Sequence, residues 1–175
     1  MRRSALLVPL AVFAALALTA PGAARAQAQI GVAADISTTA LSISQTADLD
    51  FGAVVPGIAV TINARTNPAA GLFEIHGNRN AEIAVTMTLP TQLSTGFWTM
   101  PISFGATSGC WRRQAPQGGC TLWDPTTVLV ERIRNNNPPN NTFFVWIGGT
   151  VSPAAAQNPG MYLGSITLSV AYTGN

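Results

Sequence analysis

Asp48 and Asp50 alternate with Leu49 and Phe51 in the run DLDFGAVVPG, residues 48–57. On a strand of period two the carboxylates share one face about 7 Å apart, and Leu49 and Phe51 enter the core. Such a pair could help to grip calcium. Calcium takes about six to eight oxygens, however, and the neighbouring residues form no recognised loop. The competing reading is the wet face of a strand edge kept soluble by charge, ended at Gly52 and turned at Pro56-Gly57. Other chemistry is thinly supplied. The one histidine, His76, follows Ile75 and falls on the solvent side of a strand. No G-x-S-x-G elbow offers it a serine. Asp48, Asp50, Glu74, Glu82, Asp124 and Glu131 supply carboxylates for glycoside chemistry only if two are picked arbitrarily. The expectation is a protein that is not an enzyme and needs no cofactor or metal.

Cys110 and Cys120 are the two cysteines, with nine residues between them. In an exported chain such a pair is expected to form a disulfide. A zinc site would need about four ligands, and only His76 is available to join them. The bridge would enclose Trp111, Arg112 and Arg113, with Trp123 just beyond. Trp and Arg dominate binding hot spots, and Trp faces stack on sugars, so this tip is a candidate ligand loop. The alternative is a stapled hairpin whose tryptophans fold back onto the domain. Trp98 and Trp146 sit in strand-like runs and are expected in the core.

The compartment follows from the first residues. Met1-Arg2-Arg3 is basic, Ala5 to Ala20 is apolar and uncharged, and Ala24-Arg25-Ala26 has the small-x-small form of a cleavage site. This is the grammar of a secretory signal peptide, residues 1–26, cut after Ala26 or, second choice, Ala28. Pro9 interrupts the apolar run, which is short for a membrane span of about 20 residues, and no later segment is long enough. Three of the nine arginines lie in the leader, leaving six against seven acids, a formal net charge of −1. There is no lysine. Nucleic-acid binding needs a clustered basic surface and loses its support. The expected locations are periplasm, cell surface or medium, with residues 27–175 as one domain.

Period-two alternation dominates that domain. Ile83, Val85, Met87 and Leu89 share one face against Glu82, Ala84, Thr86 and Thr88, and Pro90 stops the strand. Ile166, Leu168, Val170 and Tyr172 repeat the pattern. Further strands are expected at Ile58, Val60 and Ile62, at Phe73 and Ile75, and at Phe143, Val145 and Ile147. Another begins at Leu41-Ser42-Ile43 and continues, after a break at Thr46-Ala47, through Leu49 and Phe51. Residues 97–104 and 126–134 are less regular. Gly, Pro and Asn separate the runs, so an all-β antiparallel sandwich is expected.

The stretches Thr46 to Gly52, Val54-Val55-Pro56-Gly57 and Val60-Thr61-Ile62 resemble the N-terminal signature of domain-of-unknown-function family 4402. Ile147 to Val151 is similar to its glycine-pair strand, and Pro159 to Tyr172 to its closing strand. The family consists of exported bacterial proteins without an established biochemical role, and it is similar in plan to spore-coat-U-like and archaic chaperone–usher pilins. The resemblance implies an immunoglobulin-like sandwich acting as a surface or structural subunit, with no catalytic residues to carry over. Residues 103–125, the stapled loop, depart from that pattern. Ile30, Val32, Ala34 and Ile36 alternate along an arm, residues 27–36. The arm is a candidate donor strand for a neighbouring copy; alternatively it is the first strand of its own sandwich, or a loose tail. The implied partners are like subunits or a periplasmic chaperone and usher. For a monomeric binding module they would be a surface glycan or protein.

Overall fold

A computed structural model describes residues 40–134 and 141–174, which fold entirely into strands, turns and connecting segments. The leader and the arm residues Ile30, Val32, Ala34 and Ile36 lie outside the described residues. Where one face meets core and the other water, alternation produces a clean strand. In β4 (Glu82–Thr88) Ile83 and Val85 are buried while Thr86 and Thr88 face solvent. It pairs antiparallel with β12 (Thr167–Tyr172), Val85 opposite Val170, and with β9 (Leu129–Arg132), Val85 opposite Leu129. These three strands form one layer in the order β12-β4-β9.

The facing layer has five strands in the order β1-β3-β10-β7-β8. They are β1 (Ser42–Ala47), β3 (Gly71–His76), β10 (Thr142–Ile147), β7 (Gly109–Arg112) and β8 (Thr121–Trp123). Ile75, Phe143, Val145 and Trp123 of this layer meet Ile83, Val85, Leu129, Ile133 and Leu168 in one cluster. That contact makes the expected antiparallel sandwich. The central strand β10 is buried at all six positions. Its second face, Phe144 and Trp146, is covered by Ile62, Ala64, Ala70 and the Cys110–Cys120 disulfide.

A further four-stranded sheet has the order β2-β11-β6-β5: β2 (Val60–Ile62), β11 (Gly149–Val151), β6 (Trp98–Ser103) and β5 (Gln92–Thr95). The chain passes from β10 into β11 at Gly148. A Cβ there would overlap the Ile62 carbonyl oxygen and stand 2.8 Å from the Ala64 nitrogen, so glycine is required by close approach. Leu93, Met100, Ile102 and Val151 form this sheet's buried cluster.

Three expectations are corrected. The strand begun at Ser42 stops at Ala47 and does not continue through Asp48–Phe51. Asp50 binds the Ala69 carbonyl through its own N–H at 3.0 Å, and its carboxylate accepts the Gly52 N–H at 2.8 Å. Gly52 has φ 64°, so the segment turns away from the sheet. Leu49 and Phe51 still lean inward, half-buried. Ile58 lies outside β2 and is 58% exposed, held in a turn by its N–H on Val55 O. Trp98 is on the same face as the buried Met100 and Ile102 yet is 53% exposed, at the first position of β6 beside the Gly96-Phe97 turn.

Candidate functional site

The two aspartates that open the chemical case stand at the rim of a groove. Asp48 accepts from Gln45 Nε2, and Asp50 shapes the Gly52 turn. Among the described residues no group of three His, Cys, Asp or Glu side chains could hold a metal. The other acids among the described residues are engaged by neighbouring side chains. Glu74 lies 3.7 Å from His76 Nε2, and Glu82 lies 3.7 Å from Arg132 while accepting from Thr173 Oγ1 at 2.7 Å. Glu131 binds Arg113 at 2.7 Å. The Thr126 hydroxyl donates to Asp124 at 2.7 Å and the Thr126 N–H at 2.9 Å; these bonds hold the Asp124 carboxyl below its usual range. His76 is half-buried, with Nδ1 3.1 Å from the Thr142 hydroxyl.

The disulfide loop is a stapled hairpin. Cys110 and Cys120 are bridged with Cα atoms 5.7 Å apart, and β7 and β8 pair at the base of the loop, Gly109 opposite Trp123 and Trp111 opposite Thr121. Trp111 stacks on Phe143 with ring centroids 5.2 Å apart. The Arg113 guanidinium lies 5.2 Å over Trp111, donates to Arg132 O at 3.0 Å and pairs with Glu131. Arg112 donates to Pro116 O at 2.9 Å and to Gly118 O, closing its own loop. Trp123 is buried, which removes it from the candidate ligand contacts. Of the two readings of this loop, the one in which the tryptophans fold back describes its geometry.

The groove is the concavity that the sequence did not single out. It encloses about 1140 Å³. One wall runs from Gln45 and Ala47 through Val54; the other runs from Asn158 to Ile166, just before β12. Phe73, Leu93, Met100, Ile102 and Ile147 contribute apolar surface between them. Gln157 Nε2 donates to Tyr162 Oη at 2.6 Å and to Thr99 O at 3.0 Å, tying down the second wall. Leu163 adds two 2.8 Å backbone bonds to Ser94. On the same wall Met161 and Leu163 remain 76% and 65% exposed. Among the described residues β1 pairs only with β3 and β12 only with β4, so within them each is an edge strand. Leu41 and Tyr172 both pack on the sandwich core beside Gly77, whereas Ala47 and Ile166 both line the groove. The two edges thus flank one open side of the sandwich.

No curated protein and no solved structure matches the chain. A family model described as Domain of unknown function (DUF4402) matches residues 41–172, nearly all of the sandwich and its third sheet. The chain belongs to the DUF4402 family.

Proposed function

We propose that this protein is an exported, non-catalytic structural subunit or surface protein that assembles by β-strand complementation. The arm of one copy lies in the groove of the next. The observation that supports the reading is a groove that starts at Gln45 and Ala47 of β1 and ends at Ile166, just before β12. These two strands each pair on one side only among the described residues. An added strand could find main-chain partners on such an edge and apolar pockets in the groove beside it. The arm has matching dimensions. Ile30 to Ile36 spans about 20 Å as a strand, with Ile30, Val32, Ala34 and Ile36 on one side, and each edge strand has six residues. The leader grammar of residues 1–26 supports export. The edge of β12 is where a periplasmic chaperone would pair before assembly. A monomeric module that holds a glycan or protein through the disulfide loop has less support, because Trp111 and Arg113 are engaged inside the fold.

The test uses residues 27–175 and a shortened chain, 37–175, with a synthetic peptide of residues 28–38. Full chains are expected to form oligomers and shortened chains to form none, while the peptide raises the melting temperature of the shortened chain. Replacing Val32 and Ile36 by Asp in the peptide is expected to abolish that rise. A full chain that stays monomeric, with a shortened chain equally stable without peptide, would overturn the reading.

A further inference from the structure

One end of the four-stranded sheet is built without charge. β2 and β6 begin there and β5 and β11 finish there, so the Pro56-Gly57 turn, residues 152–161 and the Gly96-Phe97 turn leave the sheet together. Gly57 N–H bonds Ala154 O at 3.1 Å and Gln157 reaches Thr99 O at 3.0 Å, which joins these segments into one surface. Residues 51–64, 83–111 and 135–175 contain no Asp, Glu, Lys or Arg. The same end carries Phe97 at 98% exposure, Met161 at 76%, Val55 and Ile58 at 58% each and Trp98 at 53%.

The aromatic pair is held outward by the backbone. Thr95 pairs with Trp98, leaving Gly96 and Phe97 as a two-residue loop. Gly96 has φ 61° and Phe97 does not have positive φ, the pattern of a type II′ turn with glycine first. Phe97 is therefore fixed at the apex of a narrow, convex hairpin, with Trp98 at its shoulder.

We infer that this tip inserts into the interfacial layer of a lipid bilayer, and that it does so through neutral lipid. Exposed apolar side chains that cluster on an uncharged rim mark contact sites. Trp favours the headgroup level, and the hydrocarbon below accepts Phe. Insertion removes no ion from water, because these segments bear none. For the same reason anionic headgroups gain no cation to attract them. A second copy fits the shape poorly: Phe97 stands at the apex of a narrow convex hairpin, whereas a stable interface buries about 800 Å² on each partner, more than one hairpin tip presents. Neither ring lines the groove, although Pro56 and Met161 of the same end do, so changes at the two aromatic positions test the inference without altering the groove.

The experiment takes residues 27–175, free of the apolar leader, with vesicles of phosphatidylcholine alone, and measures co-sedimentation and tryptophan emission. The chain is expected to sediment with the vesicles equally at low and high salt, with a blue shift of emission. Phe97→Asp is expected to weaken binding by at least about tenfold, and Trp98→Ser to remove the blue shift. Phe97→Asp is expected to keep the parent melting temperature, since Phe97 is almost wholly exposed, and Trp98→Ser to stay folded with at most a small loss, since about half of Trp98 is covered. Three outcomes would overturn the inference: no binding to these vesicles, binding confined to anionic vesicles, or undiminished binding by Phe97→Asp. Loss of self-association in Phe97→Asp with vesicle binding unchanged would assign the tip to a second copy instead.

Discussion

A methyl group on Gly148 would collide with backbone at Ile62 and Ala64 rather than with a side chain that can rotate away. Gly148→Ala is therefore expected to destabilise the fold by more than about 3 kcal/mol, read as a shift in the urea midpoint. A midpoint within error of the parent would show that the β10–β11 crossing tolerates the shift. At Asp124 the Thr126 hydroxyl and amide favour the carboxylate, so its folded pKa lies below the usual 3.8. A depressed carboxyl contributes stability above its unfolded pKa and loses it as pH falls through the folded value. Thr126→Val is expected to raise the Asp124 pKa by removing the hydroxyl bond, as followed by carboxyl NMR titration. An unchanged titration would place the effect elsewhere. Asp50 caps the Gly52 turn through the Gly52 N–H, whereas Asp48 accepts from the Gln45 side chain.

Among the elements, the disulfide hairpin shows how a distinctive sequence serves packing. Cys110 and Cys120 are both buried and lie against Phe144 and Trp146, the second face of β10. Arg65 adds a 2.8 Å bond to Cys120 O, and Gln117 bonds Ala64 O and, at 3.2 Å, Asn67 O. The hairpin thereby roofs the central strand. Replacing both cysteines by serine is expected to cost roughly 2–3 kcal/mol, the value for closing a loop of this length, measured by chemical denaturation of the two proteins. A loss well under 1 kcal/mol would mean that hydrogen bonds alone hold the roof. β4 and β12 were legible from alternation because each has a wet face. β5, β7 and β8 were not, because QLST, GCWR and TLW are short and carry no run of alternating apolar residues. β10 was legible as a strand through Phe143, Val145 and Ile147, but nothing in TFFVWI says that Phe144 and Trp146 are covered as well.

For the whole molecule, the distribution of charge and apolar surface matters more than any single group. Among the described residues, a groove beside two edge strands and an uncharged rim tipped by Phe97 stand outside the sandwich core. Strand complementation concerns the first and lipid contact the second, and the peptide and vesicle experiments read them separately. A protein that did both would be held in an assembly through its edges while one end of its third sheet rested on a membrane. Loss of lipid contact by substitution at Phe97 or Trp98 should leave strand complementation intact, because neither residue lines the groove.

The residues alone determined the strand class, the partners of the two cysteines and the absence of charge from long stretches, since these depend on period, count and composition. Only the folded chain decided where the groove lies. Its walls come from residues 45–54 and 158–166, about a hundred positions apart, and each reads in isolation as an ordinary turn-bounded segment. The same holds for Trp98 and Trp146: both occupy inward-looking strand positions, yet one is exposed and the other buried. Periodicity assigns a side chain to a face, whereas burial requires a second element to cover that face, and the covering partner is chosen by contacts distant in sequence.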